Sequence, residues 1–324
     1  MSKNSVFNFS IYGMRQRGLL EALLLLTITV CTILMIQVRY RKKKKSDIVQ
    51  KKYLYQLSVI SQFKNESINL QEWLIHYISQ GVDHFYLIDD DSTDAYQPIL
   101  KPYQQKQMIT LVRSIGRHQQ IKNYNYFFKD LVRKQSEWVI VCDLDEFIYA
   151  HKDTTIRNYL QSVPDNIGEI MIPWKMFGSN NHIQQPRSVR ASFTRRASYD
   201  QTEKVEGGNY IKKTHMTLTK YIVRTIALYS FSIHWAMLHR PYKCITSDGK
   251  TCKTNGKVEV DEEILRNSHL HCNHYPIQSW NWFQEVKVPR GSACSKKNDK
   301  VRNEDYFKRY DKNDQLDDEL ARRV

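Results

Sequence analysis

After position 52, short apolar runs that are typical of strands alternate with longer stretches in which apolar residues recur at helical spacing. The run at 53–60 predicts a buried strand. From Ser67, which is suited to cap a helix, large apolar side chains recur every three or four residues until Gly81 supplies a stop. The run at 84–88 predicts a second strand. This strand–helix–strand unit indicates the start of a parallel α/β sheet.

The pattern continues along the chain, regularly at first and less regularly beyond residue 150. The further predicted elements are helices at 97–106 and 119–134, strands at 108–112 and 138–142, then strands at 167–172 and 220–228 and helices at 278–286 and 306–320. The fold class is therefore α/β, with a mixed, mainly parallel sheet flanked by helices.

Acidic or polar residues follow three of the predicted strands directly, at 64–66, 89–94 and 143–146. Ligands in open α/β sheets bind outside the carboxyl ends of the strands, where these three loops are expected to converge. We therefore interpret residues 53–150 as a nucleotide-binding half and residues 151–324 as the other half of the same domain.

Asp143 and Asp145 are two residues apart after an apolar strand, where alternation is expected to place both carboxylates on the same side. Two such oxygen ligands suit Mg²⁺ or Mn²⁺, which can in turn bind a diphosphate. The alternative is a solvated turn or a helix cap, because Asp is common in both. Bulky residues at 147–149 favour a site at the edge of the core.

The acidic run at 89–94 also has two interpretations. It is either an Asx-type turn with a helix cap, or a site where Asp89 or Asp90 accepts hydrogen bonds from a base or a ribose. In the second case Lys64, Asn65 and Glu66 lie beside it on the neighbouring strand end.

The first 52 residues differ from the rest of the chain. After a short tail at 1–18, the segment at 19–38 approaches the roughly 20 apolar residues that span a bilayer. No small-residue cleavage pattern follows it, which favours an anchor over a cleaved signal peptide or a buried core helix. The linker at 39–52 is strongly basic, and by the charge rule it predicts a cytosolic C-terminal domain.

The net charge of +15 suggests a nucleic-acid partner until it is divided along the chain. Residues 1–52 contain 11 of the 49 Lys and Arg but only two of the 34 Asp and Glu, so most of the excess lies beside the predicted anchor. The remainder suits an anionic small ligand. Since no nucleic-acid-binding module is recognised either, we expect no nucleic-acid partner.

Four of the six cysteines, Cys244, Cys252, Cys272 and Cys294, lie within about 50 residues of one another. Two disulfides in an oxidising compartment would account for this even-numbered group. The alternatives are free core thiols and a zinc site that includes Cys272 and His274, although no C-x₂-C spacing occurs.

Several ordered blocks between residues 53 and 312 resemble glycosyltransferase family 92 and the related family-2-like transferases of the GT-A fold. These blocks are Lys64-Asn65-Glu66, Glu72-Trp73-Leu74, residues 81–87, Asp89 to Asp94, Cys142 to Phe147, Trp174 to Ser179 with His182 and Pro186, and then His274-Tyr275, Ser279, Phe283, Lys287 and Arg290-Gly291. One departure is Asp90, where the family often has an amide.

The resemblance implies a Rossmann-like hexosyltransferase that depends on Mn²⁺ or Mg²⁺ and moves a sugar, with galactose as a candidate, from a nucleotide-sugar to a glycan hydroxyl with inversion. Residues 53–150 then bind the donor and residues 151–324 the acceptor. The implied roles are metal binding by Asp145, metal or ribose binding by Asp143, nucleoside binding by Asp89, Asp90 and Ser92, completion of the metal shell by His274, and stabilisation of the leaving diphosphate by Lys287 and Arg290.

Inversion requires a base that takes the acceptor proton. The candidates in the second half are His182, His234, Glu203 and Glu206, and the sequence does not choose among them. For His274 the alternative role is that of a structural histidine, and for Lys287 and Arg290 it is a solvated helix face.

The resemblance further implies a single-pass type II membrane protein of the Golgi or the ER with a lumenal catalytic domain, against the charge rule. The alternative function is a catalytically inactive, membrane-tethered protein of the same fold that binds a nucleotide-sugar or a glycan. Asp143, Asp145 and Glu146 argue for the enzyme, because a binding protein has no need of a metal clamp.

Overall fold

The computed structural model describes residues 53–204, 210–213 and 215–323 together with Thr32 and Met35, and it describes 201–204 and 210–213 by their backbone alone. Residues 53–324 form one compact unit. Apart from Thr32 and Met35, the predicted tail, the anchor at 19–38 and the basic linker lie outside the described residues. In the part of the chain that is described, no helix is both long and apolar enough to cross a membrane.

The first half of the domain alternates strands and helices, as the sequence pattern predicts. Its elements are β1 (Tyr55–Phe63), α1 (Ser67–Ser79), β2 (His84–Asp89), α2 (Gln97–Gln105), β3 (Ile109–Arg113), α3 (Gln120–Asn123), a π-helical turn (Tyr124–Phe128), α4 (Lys129–Gln135), β4 (Ser136–Val141) and β5 (Glu146–Ala150). Only β5 has no counterpart among the predicted elements.

The second half contains more and shorter elements. They are α5 (Ile156–Gln161), β6 (Ile167–Met176), α6 (Val189–Ser192), β7 (Arg195–Arg196), β8 (Gln201–Lys204), β9 (Tyr210–Lys213), β10 (His215–Arg224), a 3₁₀ turn (Thr225–Ala227), β11 (Leu228–Phe231), β12 (Ala236–Leu238), β13 (Lys243–Thr246), β14 (Thr251–Cys252), β15 (Lys257–Val260), α7 (Glu262–Asn267), β16 (Leu270–His274), α8 (Trp280–Trp282), a second π-helical turn (Phe283–Lys287), α9 (Val288–Arg290), a 3₁₀ turn (Lys296–Asn298), α10 (Glu304–Tyr310), β17 (Gln315–Leu316) and a 3₁₀ turn (Ala321–Arg323).

Within the described residues, the central sheet has eleven strands, eight of them in the order β14-β13-β6-β10-β4-β1-β2-β3. The four strands from β4 to β3 are parallel neighbours, so their carboxyl ends share one edge. β10 runs antiparallel between β4 and β6. β16 joins the sheet beside β5 and β6. This arrangement confirms the predicted mixed α/β fold class.

The central strands are buried on both faces, as expected where helices cover both sides of a parallel sheet. On one face Leu57 and Val59 of β1 pack in a large core with Trp73 and Leu74 of α1. On the opposite face Ile60 belongs to a second core, formed with residues of the first π-helical turn and β4. The alternation of side chains along β1 therefore holds both layers of helices against the sheet.

The bounds of two predicted elements of the second half are wrong. The strand expected at 220–228 breaks at Arg224, and β11 starts after the 3₁₀ turn. The helix expected at 306–320 ends at Tyr310, because Asp311 to Asp314 is a run of turn-forming residues. Asp311 Oδ1 accepts a hydrogen bond from the Ser179 amide at 2.8 Å, which holds this segment in a loop.

The prediction of two disulfides in the cysteine group is wrong for one pair. Cys244 and Cys252 face each other across β13 and β14 and are bonded. Cys272 is fully buried inside β16, whereas Cys294 is an exposed residue of the loop after α9, and both are free thiols. The clusters suited to a metal among the described residues contain no cysteine, so the zinc alternative has no support.

His76 provides a test of how burial controls stability. The side chain is 1% exposed on α1, its Nε2 donates to the Ile148 carbonyl at 2.7 Å, and burial lowers its pKa to about 3. The His76 imidazole of the unfolded chain takes up a proton near pH 6.5, whereas that of the folded protein does not. The free energy of unfolding of wild type therefore falls as the pH decreases from about 6.5 toward 3. We expect the destabilisation caused by His76→Gln, measured by urea unfolding, to be about 2 kcal/mol smaller at pH 5 than at pH 7.5. Equal destabilisation at the two pH values would contradict the assignment.

Candidate active site

A cavity of about 200 Å³ lies at the carboxyl edge of the parallel strands. The loops after β1, β2 and β4 meet there with the β11–β12 loop, the end of β16 and the segment from 287 to 306. Of the predicted site residues, nine line this cavity: Lys64, Glu66, Asp90, Asp143, Asp145, His234, His274, Lys287 and Arg290.

Three predicted nucleoside-binding residues do not line the cavity. Asp89 Oδ1 accepts from the Ser92 amide at 2.8 Å and Oδ2 accepts from the Tyr96 hydroxyl at 2.9 Å. Asn65 has a positive φ of 52°, and its side chain accepts from the Thr93 amide at 2.7 Å. Ser92 Oγ accepts from the Asn65 amide at 3.1 Å. These side chains stabilise the two loops, which agrees with the turn interpretation and leaves Asp90 to face the cavity.

His182 is also outside the cavity lining. Its Nε2 donates to the Ser192 carbonyl at 3.2 Å, and its ring lies edge-on to Phe193. These contacts are those of a structural histidine. Of the acidic base candidates, the side chain of Glu203 is not described and Glu206 lies outside the described residues.

Asp143 and Asp145 reach the same cavity, but by a different geometry from that predicted. β4 ends at Val141 and β5 begins at Glu146, so both carboxylates lie in the tight turn between two strands and not on an alternating strand end. The turn is anchored from below, because Glu146 Oε2 accepts from the Asp143 amide at 2.9 Å. This contact closes the turn between β4 and β5.

Asp145 is 2% exposed and contacts two groups from the second half of the chain. Its Oδ2 accepts a charge-assisted hydrogen bond from Lys287, and its Oδ1 lies 3.8 Å from His274 Nε2. Burial alone would raise the pKa of Asp145, but the Lys287 ammonium outweighs it and lowers the pKa to about 2. Asp145 is therefore ionised at neutral pH.

Asp143 is held by a different pair of donors. Lys220 Nζ donates to Oδ2 at 2.8 Å, and Gln120 Nε2 donates to Oδ1 at 2.9 Å. Lys220 reaches this position because its neighbour Tyr221 on β10 pairs with Val141, the last residue of β4. Burial opposes ionisation of Asp143, but Lys220 lowers its pKa.

Three potential metal ligands converge at the cavity, and two of them, Asp145 and His274, belong to its lining. Ligand atoms of Asp145, Glu146 and His274 all lie within 4.8 Å of one another. His274 Nδ1 and Glu146 Oε1 are buried and have no hydrogen-bond partner in the described part of the chain. Burial lowers the pKa of His274 to about 3, which keeps the ring neutral, as a ligand must be. The cluster brings Glu146, rather than Asp143, together with Asp145 and His274; burial raises the pKa of Glu146 well above its usual range, so a divalent ion held there would displace its proton.

His234 occupies the wall of the cavity in a fixed orientation. Its Nδ1 donates to the Thr219 carbonyl at 3.0 Å, which leaves Nε2 as the nitrogen that can accept a proton. Burial, reinforced by Lys220, lowers its pKa to about 4. Its own carbonyl accepts from Thr219 Oγ1 at 2.8 Å, and the neighbouring loop is pinned where Glu169 Oε1 accepts from the Ala236 amide at 2.6 Å.

The cations of the cavity fall into two pairs. Lys287 and Arg290, predicted from the sequence, form ion pairs with Asp145 and Glu66. Lys64 and Arg302 also line the cavity, but neither forms an ion pair with a carboxylate among the described residues. The second pair is the one whose charge is available to an anion.

Sequence reasoning missed three functional candidates, namely Gln120, Lys220 and Arg302. One signal was available for Lys220, since a lysine that begins an apolar strand needs a buried partner. No local pattern distinguishes Gln120 or Arg302 from other polar residues of their segments.

A second cluster of possible metal ligands, His151, His271 and Glu319, lies outside the cavity. Glu319 already pairs with Arg323 at 2.8 Å, and Lys175 Nζ lies 3.4 Å from His271 Nδ1. Glu319 accepts from His151 Nδ1 at 2.9 Å and from the Tyr149 hydroxyl at 3.0 Å, so both of its oxygens already have partners within the protein, unlike Glu146 Oε1. We interpret the cluster as structural, because Glu319 connects the C-terminal segment to β5 and β16.

Lys220→Met is expected to lower the free energy of unfolding by about 1–3 kcal/mol, since Asp143 loses a charge-assisted hydrogen bond from a buried cation while its side chain stays one-third exposed to water. Urea unfolding would measure this loss. Lys308→Met is the control, because Lys308 forms an exposed ion pair with Glu304 and such pairs contribute little. Equal effects of the two variants would show that Lys220 is not the counter-ion of the acidic turn.

Comparison with known proteins adds the family. The model of glycosyltransferase family 92 matches residues 55–321 of this chain. A curated glycosyltransferase family 92 protein of Oryza sativa subsp. japonica is 23% identical over 154 residues, which are 46% of this chain and 26% of that protein. The matched part is thus about a quarter of the length of the rice relative.

Solved structures show a weaker similarity. Residues 1–349 of S. aureus TarS are 19% identical over 56% of this chain and 51% of that chain, with a TM-score of 0.34. The same TarS fragment in complex with UDP-GlcNAc is 18% identical over 53% of this chain and 46% of that chain, with a TM-score of 0.32. These TM-scores are too low to establish a shared fold.

Proposed function

The chain belongs to glycosyltransferase family 92, and from this premise we propose that it is a GT-A-type hexosyltransferase that moves a sugar, with galactose as a candidate, from a nucleotide-sugar to a glycan hydroxyl. The observation that carries the proposal is the meeting of Asp143, Asp145 and His274 with the cations of the second half in one cavity. A nucleotide-sugar requires this combination of acceptors for its hydroxyls and cations for its diphosphate.

The first half offers groups for the nucleoside. Glu66 and Asp90 line the cavity after β1 and β2 and can accept hydrogen bonds from a base or a ribose. Asp143 keeps its side chain one-third exposed although Lys220 and Gln120 hold it, so it can also accept from a donor hydroxyl. We assign Asp143 to the donor and not to the metal.

Both halves together offer groups for the diphosphate and its metal. Lys64 and Arg302 are the cavity cations without a carboxylate partner in the described residues, and they suit the phosphate oxygens. Asp145, His274 and Glu146 would hold Mn²⁺ or Mg²⁺. When bound, such an ion supplies positive charge that stabilises the diphosphate as a leaving group.

His234 is the base that the geometry favours. It lines the cavity, its ring is neutral at physiological pH, and the Thr219 carbonyl fixes the tautomer that leaves Nε2 free of a proton. A base that removes the proton of the acceptor hydroxyl while the donor bond breaks on the opposite face produces inversion. His182 lies outside the cavity and is not assigned this role.

A screen of nucleotide-sugars for metal-dependent hydrolysis by the purified full-length chain tests the proposal. Hydrolysis of one donor that stops with chelator and returns with Mn²⁺ is the expected result. Binding of a nucleotide-sugar without hydrolysis or transfer to any glycan would instead support the alternative, an inactive binding protein of the same fold.

We further propose that the catalytic domain is lumenal, in the Golgi or the ER, behind a type II anchor at 19–38. The Cys244–Cys252 disulfide supports this side of the membrane, because such bonds persist in oxidising compartments. We expect the domain to resist added protease in sealed vesicles and to become sensitive when detergent is added. Digestion in intact vesicles would show that the domain faces the cytosol, as the basic linker predicts by the charge rule.

A further inference from the structure

The segment from Phe283 to Arg290 contacts two acidic residues of the cavity, Asp145 and Glu66. Lys287 is 4% exposed and donates to Asp145, the proposed metal ligand. Arg290, three residues later, pairs with Glu66, which is 2% exposed and lies at the proposed nucleoside end. The protein therefore supplies its own cations at both places where a metal–nucleotide complex is expected to bind.

Lys287 and a divalent ion compete for the charge of Asp145. His274 Nε2 lies 3.8 Å from Asp145 Oδ1, and Lys287 occupies the other oxygen, Oδ2. A metal ligated by Oδ1 and the imidazole would share one carboxylate with an ammonium group. The two positive charges repel each other at such a separation in a buried site, which favours movement of Lys287 away from Asp145.

The cavity provides a place for Lys287 to go. Lys64 and Arg302 line the same space, and no carboxylate among the described residues pairs with them. A diphosphate bound between these two cations would present phosphate oxygens to a third cation that already lines the cavity. Lys287 on its flexible four-carbon side chain can change partners without a change of the helix.

We propose, on the basis of the proposed function, that Lys287 exchanges partners. In the absence of metal it neutralises Asp145, and it transfers to the donor diphosphate when a divalent ion takes its place. Each ligand then favours the other, since the metal drives Lys287 toward the phosphates and the phosphates withdraw Lys287 from the metal ligand. Lys287 is in this view a competitor for the metal in the free protein and a partner of the leaving group in the loaded one.

The exchange predicts opposite effects of one variant on two measurements. Lys287→Met is expected to raise the affinity of the full chain for Mn²⁺ alone by about tenfold, and to reduce the factor by which Mn²⁺ strengthens binding of UDP or GDP by a similar amount. Isothermal titration of Mn²⁺, of each nucleotide, and of each nucleotide at saturating Mn²⁺ provides these values without any measurement of transfer.

Three further variants complete the experiment. Lys287→Gln repeats the loss of charge in a polar side chain in case the Met variant does not fold, and Lys287→Arg keeps the charge and should keep the Mn²⁺ affinity of wild type. Lys175→Met removes an equally buried lysine, paired with Asp317 at 2.7 Å outside the cavity, and should leave the Mn²⁺ affinity unchanged.

The outcomes separate this inference from the function it rests on. An unchanged or lower Mn²⁺ affinity in both charge-removing variants would overturn the exchange while leaving a metal-dependent transferase intact. A rise in affinity that Lys175→Met reproduces would also overturn it, because the effect would then be general. If wild type and all variants fail to bind Mn²⁺, the proposed metal site is wrong and the exchange is wrong with it.

Discussion

Asp145→Asn is expected to lower the rate of sugar transfer by at least about 10²–10³-fold, the usual effect of removing one group that stabilises charge in a transition state. The carboxylate is the common contact of His274 and Lys287, and the amide that replaces it keeps the shape but loses the charge. Transfer of radiolabelled sugar to a mixture of glycans by wild type and variant measures the loss.

The same substitution is also expected to weaken the fold, because Lys287 is then buried without its counter-ion. The double variant Asp145→Asn/Lys287→Met distinguishes the two effects. Replacing both members of a buried ion pair can restore stability, whereas activity should stay lost. Transfer at the wild-type rate in either variant would exclude Asp145 from the chemistry and leave the binding-protein alternative.

His234→Ala is expected to lower the rate of transfer by about 10²–10⁴-fold, the range typical of a lost general base. Donor binding should be retained, because in the proposed arrangement the base faces the acceptor. His182→Ala is the matched control, since His182 is a histidine of the same half whose ring is bonded to the Ser192 carbonyl outside the cavity.

The pH dependence of the transfer rate is a second test, because a purely structural histidine would not control it. Burial holds the pKa of His234 at about 4, so its contribution to transfer should be constant near neutral pH and fall only in acid. Equal turnover of His234→Ala and His182→Ala would exclude both histidines, and Glu203 and Glu206 would be the next residues to substitute.

Most of the first half of the fold could be predicted because β1, β2 and β4 are apolar runs that are largely buried. β2 and α1 fall close to the expected positions, and the three polar loops converge because parallel strands end at one edge. Local pattern is enough there, since burial and periodicity agree.

The remaining elements could not be predicted in the same way, because most of the strands beyond residue 150 are short and pair in mixed directions. β5 was missed since it starts directly after the acidic turn, and Glu146 is buried at its first position. The partners of the acidic residues were beyond local reasoning too. Lys287 follows Asp145 by 142 residues, and only the sheet order brings Lys220 beside Asp143.

The π-helical turn at Phe283–Lys287 makes the site sensitive to chain length as well as to composition. A π-helical turn contains one more residue than an α-helical turn. Deletion of a single residue within it would therefore restore a regular α-helix. The residues on its two sides would then rotate relative to each other by about 100°, the angle per residue of an α-helix. Lys287 and Arg290 would no longer meet Asp145 and Glu66 together, although neither had been substituted. A relative that keeps both cations but lacks this extra residue would therefore have the same two residues in its sequence without placing them beside the two carboxylates.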